Sequence, residues 1–106
     1  MLGVAFKRDG PDVRNSSALR LMGILVSQGA DLQYHDPLVD ELPLKDGARR
    51  SVKLASEALQ EADCVVIHTD HSVFRWDTIV PHCRLILDTR NATQGVQSGR
   101  DAIVKL

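Results

Sequence analysis

The chain has 106 residues, of which 43% are hydrophobic and 25% are charged, and this length supports one domain with a single modest core. The formal net charge of −1 provides no overall electrostatic field for recruiting nucleic acid or an anionic membrane surface, so we expect neither as a partner. No apolar run approaches the roughly 20 residues of a membrane-spanning helix, and no signal-peptide pattern opens the chain.

The first predicted elements are a strand and a helix joined by a polar loop. Leu2–Phe6 is a short apolar run that we expect to form a buried strand, and Lys7–Asn15 is the loop. Ser16 stands in the position of an N-cap, and apolar residues recur at helical spacing after it. Because Gly29 is a typical C-cap glycine, we predict a helix over residues 17–28.

The remainder of the chain alternates between strands and helices. It predicts a strand at Asp31–His35, a loop over 38–51, a short helix that begins near Val52 and ends at Glu61, a strand at Cys64–His68, a helix at Arg75–Val80 and a strand at Arg84–Leu87. We expect residues 1–93 to form the domain and residues 94–106 to form a polar tail. The order predicts an α/β fold, a Rossmann-like three-layer sandwich with a mostly parallel sheet. Because an apolar stretch starts at Met1 with no lead-in, we expect the chain to be part of a longer protein.

Polar side chains follow the predicted strands, and ligands of an open parallel sheet bind outside these carboxyl ends. The stretches concerned are Phe6–Arg8, His35–Asp36, His68–His71 and Asp88–Asn91. Lys7 and Arg90 each follow an apolar strand, and two such cations could hold a diphosphate. They could also be solvated surface charges, with Arg90 bridged to Asp88, and spacing alone slightly favours this second interpretation. Arg14 could similarly pair with Asp12.

The loop after the first strand lacks the glycines of a dinucleotide-binding fingerprint. Where G-x-G-x-x-G would stand, the sequence has Gly10 followed by Pro11, which has no N–H to donate to a phosphate. We therefore expect no independent NAD site. Asp36 ends the second predicted strand, at the place of a ribose-binding acid, but a turn-forming role before Pro37 is the favoured interpretation.

The histidines and cysteines do not follow a catalytic or metal-binding pattern. His68 and His71 are three residues apart with Asp70 between them, but no C-x-x-C or H-E-x-x-H motif accompanies them, so we expect no metal site. Cys64 opens a strand that we expect to be buried, which disfavours a reactive thiol, and Cys83 precedes the last strand. Two cysteines without a pairing pattern fit a reducing cytoplasm.

Four ordered motifs cover nearly the whole chain. The first follows the pattern G-x-A-[FY]-K-x-[DN]-x-x-D-x-R-x-S-x-A and falls on Gly3, Ala5, Phe6, Lys7, Asp9, Asp12, Arg14, Ser16 and Ala18. The others are the stretches Gln28–Val39, Ala62–Ile79 and Leu85–Thr93. Together they resemble the C-terminal, UDP-binding domain of the UDP-glucose/GDP-mannose dehydrogenase family, and most of all its bacterial UDP-N-acetylhexosamine (UDP-GlcNAc) 6-dehydrogenases.

The resemblance implies one part of a larger enzyme. In that family an N-terminal Rossmann-like domain binds NAD, a central helical region carries the catalytic cysteine and forms a homodimer, and the C-terminal domain grips the UDP-sugar. Carried over to this sequence, Phe6 and Lys7 would contact the UDP-sugar substrate. Arg90 would bind its nucleotide part, and Arg14 would reach the NAD from across the cleft.

The implied reaction is a pair of NAD-dependent oxidations that turn the C6 alcohol of the sugar into a carboxylate, through a thiohemiacetal and a thioester, for polysaccharide precursor synthesis. Cys64 and Cys83 lie outside the family's catalytic motif, so we expect no catalytic residue here and no activity from this chain alone. The sequence also departs from the family pattern, because Arg8 and Ser17 stand where prolines are usual. A stand-alone Rossmann-like module for binding or regulation is the alternative.

Overall fold

The computed structural model describes residues 1–44 and 47–106. Its elements, in chain order, are helix α1 (Ser17–Ser27), strands β1 (Glu41–Leu44) and β2 (Gly47–Arg50), helix α2 (Ser56–Glu61), strand β3 (Val65–Ile67), helix α3 (Trp76–Ile79), and strands β4 (Ile86–Asp88) and β5 (Ile103–Lys105). Short 3-10 helices follow α3 at Val80–His82 and precede β5 at Arg100–Ala102. Helix α1 has 11 residues, and no helix in the described ranges has the length and apolar character needed to cross a bilayer.

A parallel sheet organises the fold, with β4 between β3 and β5. Val65 of β3 lies opposite Ile86 of β4, which lies opposite Ile103 of β5. Leu2 extends this sheet beyond β3, because it forms parallel bridges to Ile67 on one side and to His35 on the other. The spatial order is therefore His35, Leu2, β3, β4 and β5. The prediction of an α/β fold with a mostly parallel sheet is confirmed.

The first two predicted strands are shorter in the structure than in the sequence analysis. Leu2–Phe6 and Asp31–His35 are reduced to the pairing of Leu2 with His35. Gly3 explains why the first one ends so early, because its φ of 76° lies in the left-handed region and not in the extended one. A Cβ at this position would also collide with the backbone carbonyl of Thr69, so the close approach of these two segments requires glycine.

Helix α1 packs on the first of two hydrophobic clusters. Its N-cap Ser16 accepts a hydrogen bond from the Ala18 N–H at 3.2 Å, as predicted, and donates one to the Val4 carbonyl at 2.7 Å. The cap therefore ties the helix to the segment that follows Leu2. The buried members of this cluster are Val4, Ala5, Ala18, Met22, Tyr34, Val39 and Leu42.

The second cluster lies between the sheet and the elements that follow β2. Val65 and Ile67 of β3 are buried while Val66 between them is half-buried, which is the alternation expected of a strand. Helix α2 and helix α3 contribute apolar side chains to it. Its buried members are Leu2, Leu59, Val65, Ile67, Phe74, Ile79, Val80, Cys83, Ile86 and Val96.

The prediction of a loop over residues 38–51 is wrong at 41–44 and 47–50, and its residues 45–46 lie outside the described ranges. Strands β1 and β2 form an antiparallel pair there, with Glu41 opposite Arg50 and Leu42 opposite Arg49. Leu42 is fully buried in the first cluster, so burial of this side chain decides the conformation of a segment whose charged residues suggested a loop. Helix α2 also begins at Ser56 and not near Val52, because the Val52 N–H pairs with the Tyr34 carbonyl at 2.9 Å.

Residues 94–106, expected as a polar tail, contain β5. This strand of three residues pairs with β4 along its whole length, and the Leu106 N–H donates to the Asp88 carbonyl at 3.2 Å. A run as short as Ile103–Lys105 carries no strand signal of its own, and pairing with the neighbouring strand forms it. The division of the chain at residue 93 stays a prediction.

Candidate functional site

A cleft of about 310 Å³ opens beyond the carboxyl ends of β3 and β4, where the sequence analysis placed a ligand site. Its lining includes two arginines, one aspartate, one histidine and two residues with apolar aromatic side chains. The lining residues are Arg8, Asp70, His71, Ser72, Phe74, Trp76, Arg90, Asn91, Ala92 and Gln94. The rings of Phe74 and Trp76 contact each other in a tilted arrangement, with centroids 5.0 Å apart and planes at 47°. The arrangement suits a ligand with an anionic part and a flat part.

Arg90 is the predicted site residue that lines this cleft. Its Nε donates to the His68 carbonyl at 2.6 Å, which fixes the guanidinium against the end of β3. The Arg90 backbone N–H, and not its side chain, provides the bond to Asp88, at 3.0 Å. The sequence analysis considered a side-chain bridge between these two residues, and the structure instead gives each a separate role.

Asp88 organises the loop that carries Arg90. Its carboxylate accepts hydrogen bonds from the backbone N–H groups of Arg90, Ala92 and Thr93, and from the Thr93 hydroxyl at 2.6 Å. Burial would raise the pKa of Asp88, but these hydrogen bonds outweigh it and hold the pKa below its ordinary value. The ionised carboxylate is thus the form that keeps the loop in place.

Phe6 and Lys7 lie outside the cleft walls, on the loop that leads to Arg8. The Phe6 ring is 51% exposed, and its backbone N–H donates to the Asp12 carbonyl at 2.7 Å. Lys7 is also exposed, and its carbonyl accepts the Gly10 N–H at 3.4 Å, which closes a turn. The structure therefore brings Arg8 and Arg90 to one cleft and leaves Phe6 and Lys7 exposed on the adjoining loop.

Arg14 pairs with Asp12 inside the same loop. Its Nε and Nη2 donate to the two carboxylate oxygens at 3.1 and 3.0 Å, and its backbone N–H donates to the Asp12 Oδ1 at 2.9 Å. These contacts hold the pKa of Asp12 below its ordinary value, and the side-chain hydrogen bond from Arg14 contributes most. The Arg14 side chain is nevertheless 86% exposed, so its guanidinium stands at the surface of the loop.

Asp36 and His71 form a buried pair behind the cleft. The His71 Nε2 lies 2.9 Å from the Asp36 Oδ2, and both side chains are fully inaccessible. Asp36 also accepts the Leu38 N–H at 2.8 Å, which is the turn-forming contact favoured in the sequence analysis. A ribose hydroxyl cannot reach a carboxylate in this position, so the structure supports the turn interpretation.

The remaining histidine of this region, His68, has separate partners. Its Nε2 lies 2.8 Å from the Ser17 hydroxyl and its Nδ1 lies 3.0 Å from the Thr69 hydroxyl. Burial, with a contribution from the positive charge of Arg90, lowers the pKa of His68. Among the described residues, no group of three or more His, Cys, Asp and Glu side chains could hold a metal ion.

The two cysteines differ in exposure. Cys64 is exposed, so the expectation that it would be buried is wrong; it precedes β3 and its side chain is not covered by the sheet. Cys83 is buried, its thiol donates to the Ile79 carbonyl, and burial raises its pKa to about 11. A thiol with this pKa is protonated at neutral pH and is a poor nucleophile.

The sequence analysis assigned no role to Arg8, which lines the cleft, or to the buried His71 behind it. Arg8 was noted as a departure from the family pattern, and its position directly after Lys7 at a strand end is the signal that could have added it. His71 was weighed as a metal ligand. Its partners, Asp36 and Asp9, lie 35 and 62 positions away in the chain, so no local sequence pattern indicates these contacts.

A family model described as "UDP-glucose/GDP-mannose dehydrogenase family, UDP binding domain" matches residues 1–95. The chain belongs to this family. The resemblance stated from the motifs is confirmed, and the matched range contains the first hydrophobic cluster and all the lining residues of the cleft.

Relatives in this family are dehydrogenases of UDP-sugars. The chain is 39% identical to UDP-N-acetyl-D-mannosamine dehydrogenase of Campylobacter jejuni over 88 residues, which cover 77% of this chain and 22% of that protein. It is 35% identical to UDP-glucose 6-dehydrogenase AglM of Haloferax volcanii over 79 residues, which cover 70% of this chain and 17% of that protein. The chain therefore spans about a fifth of the length of these relatives.

A solved structure of a UDP-sugar dehydrogenase has a similar fold. The UDP-D-ManNAc dehydrogenase of Pyrococcus horikoshii superposes with a TM-score of 0.70 at 27% sequence identity. The superposition covers 98% of this chain and 23% of that one.

Proposed function

We propose that this chain is the UDP-sugar-binding domain of an NAD-dependent nucleotide-sugar 6-dehydrogenase. The observation that carries the proposal is the cleft beyond β3 and β4, which is lined by Arg8, Arg90, Phe74 and Trp76. The membership of residues 1–95 in a UDP binding domain family gives this cleft its ligand class.

Arg90 is the proposed anchor for the nucleotide part of the substrate. Because its Nε is held by the His68 carbonyl, the guanidinium is already oriented before a ligand arrives. The Nη groups carry further N–H donors in a planar fork, which matches the oxygens of a phosphate. Trp76 is half-buried and offers a ring against which a flat base can pack, and the buried Phe74 supports it from the hydrophobic cluster.

Phe6 and Lys7, on the loop that leads to Arg8, are further proposed contacts to the substrate. Arg8 itself is an addition to the residues that the sequence analysis named. The exposed Phe6 ring and Lys7 ammonium are free of the hydrophobic clusters and are accessible to a ligand. Arg8 lines the cleft two residues after Phe6, so it adds a second guanidinium near the expected diphosphate.

The residues of this chain do not fit a complete NAD site. Asp36 is 2% exposed and bonded to His71, so it cannot bind a ribose, and Gly10–Pro11 does not make a phosphate-binding turn. Arg14 fits a single contact to NAD held elsewhere, because its guanidinium is largely exposed and oriented by Asp12. We propose that another domain of the longer protein binds NAD.

For the whole enzyme we propose oxidation of the C6 alcohol of a UDP-N-acetylhexosamine or of UDP-glucose to a uronate, which supplies polysaccharide precursors in the cytoplasm. The names of the relatives from C. jejuni and H. volcanii, a UDP-N-acetyl-D-mannosamine dehydrogenase and a UDP-glucose 6-dehydrogenase, support these two substrate classes. The catalytic cysteine, the NAD-binding domain and the homodimer contacts would belong to the other domains. The role of this chain is to bind and orient the substrate.

The proposal is tested by titrating the 106-residue chain with UDP and recording the NMR chemical shifts of its backbone amides. We expect shifts at Lys7 and Arg90, and Arg90→Ala is expected to weaken binding roughly tenfold because a forked phosphate contact is lost. Arg84→Ala is the matched control, since Arg84 is an exposed arginine outside the cleft lining that makes a long 3.8 Å ion pair with Asp63.

Either of two results contradicts the proposed function. One is a wild-type chain in which saturating UDP moves neither amide. The other is an Arg90→Ala chain that binds UDP as tightly as the Arg84→Ala control. A folded chain with no affinity for UDP would favour the alternative of a stand-alone binding or regulatory module.

A further inference from the structure

The buried side chain of His71 connects the loop of Lys7 and Arg8 to the sheet. Its Nδ1 lies 2.9 Å from the backbone nitrogen of Asp9, and its Nε2 lies 2.9 Å from the Asp36 carboxylate. The ring of Phe74 packs against the imidazole with centroids 5.9 Å apart. Residues from three separate segments of the chain therefore meet at one imidazole.

These contacts determine where the imidazole carries its proton. A backbone N–H can only donate, so the His71 Nδ1 that faces Asp9 must be an unprotonated acceptor. In the neutral ring the proton is then on Nε2, which donates it to the Asp36 Oδ2. The N–H groups of Val4 and Leu38 donate to the same carboxylate at 2.8 Å each and hold it in place.

Asp9 is held at a second point as well. Its carboxylate accepts the backbone N–H of Ser72 at 2.8 Å and the Ser72 hydroxyl at 3.0 Å. Its φ of 62° is left-handed, which a non-glycine residue adopts at a cost. The surrounding contacts must therefore maintain this conformation, and they determine where the preceding Lys7 and Arg8 lie.

We propose that His71 is a positioning residue for substrate binding, which acts through the Asp9 amide to place Lys7 and Arg8 against the phosphates of the ligand. The inference rests on the proposed function, because it assumes that this loop meets a nucleoside diphosphate. His71 itself is fully inaccessible and touches the ligand through no atom of its own.

Two conservative variants separate the two ends of the imidazole. In His71→Asn, the side-chain oxygen can occupy the place of Nδ1 and keep the bond to Asp9, while the reach to Asp36 is lost. In His71→Gln, the longer amide can keep the bond to Asp36 while the acceptor for Asp9 is lost. His82→Gln is the matched control, because His82 lies after α3, outside the cleft walls.

The variant that weakens UDP binding more is expected to be the one that lowers the melting temperature less. His71→Gln is expected to weaken UDP binding by the 106-residue chain about tenfold, and His71→Asn by clearly less, because the Asn variant keeps the loop anchored. His71→Asn is expected to lower the melting temperature more, because it removes a donor from a buried carboxylate. A purely structural His71 would give the same order in both measurements.

The ring nitrogens of the wild-type chain provide a second test that needs no variant. The 15N shifts of His71 are expected to show an unprotonated Nδ1 and a protonated Nε2 at neutral pH, and a protonated Nδ1 would overturn the inference.

The binding results separate this inference from the proposed function. If Arg90→Ala weakens UDP binding but His71→Gln binds no more weakly than His71→Asn, the positioning role alone is wrong. If the wild-type chain does not bind UDP, both proposals fail.

Discussion

The loop after β4 and the loop after Leu2–Phe6 each bring an arginine to the same cleft, yet their anchors come from different distances along the chain. Asp88 holds the first loop by accepting hydrogen bonds from residues at most five positions away. Asp9 holds the second loop through partners 62 and 63 positions away. Arg90 thus sits in a locally closed turn, whereas Arg8 depends on the folded core.

The difference has consequences for stability and for binding. Removal of the local anchor leaves several buried N–H groups without an acceptor, so it costs folding free energy. Removal of the distant anchor affects a largely exposed loop, so it changes the order of that loop more than the stability of the fold. The following variants test this contrast between the Asp88 loop and the Asp9 loop.

Asp88→Ala is expected to have the largest effect. The carboxylate is 1% exposed and receives four hydrogen bonds, so its loss should lower the free energy of unfolding by about 3 kcal/mol. Urea unfolding measures this change. Asp63→Ala, at a fully exposed side chain, should leave the midpoint unchanged, and equal midpoints for the two variants would contradict the local anchoring of the Arg90 loop.

The next effect in size is on the pH dependence of stability, to which the Asp88 carboxylate is expected to contribute more than the Asp9 carboxylate. The pKa of Asp88 is lower in the folded chain than its ordinary value of 3.8, so this carboxylate stabilises the fold above that pH. The contribution is lost as the pH falls through the folded pKa. Urea unfolding from about pH 5 to about pH 2 should therefore show a shallower decline for Asp88→Asn than for the wild type.

Asp9→Asn is the comparison for that pH series. Its pKa is also lowered, chiefly by the backbone hydrogen bond from Ser72, but its side chain is half exposed and solvent weakens the effect. The decline of stability in this variant should stay close to that of the wild type. A decline as shallow as that of Asp88→Asn would show that the two carboxylates contribute equally.

Asp9→Ala is expected to have the smallest effect on stability and a clear effect on loop order. It removes the acceptor for Ser72 while the backbone N–H to His71 remains. Amide hydrogen exchange should become faster at residues 7–10 and stay unchanged at residues 89–93, with little change in melting temperature. Faster exchange in both loops would mean that they are not anchored independently.

The sequence predicted those parts of the fold whose signal is local. Helix α1 followed from its apolar spacing and its Ser16 cap, and β3 from a β-branched run. The hairpin of β1 and β2 was missed because it depends on the burial of Leu42, and β5 because a strand of three residues forms by pairing with β4. These two elements depend on contacts with segments elsewhere in the chain.

The sequence by itself determined the family, the α/β class and the position of Arg90 beyond a strand, because motifs and periodicity act over a few residues. The tertiary structure alone decided that Arg8 lines the cleft, that Asp36 is inaccessible and that His71 connects Asp36 to Asp9. The physical reason is that a buried hydrogen bond between residues more than 30 positions apart exists only once the core has brought its partners together.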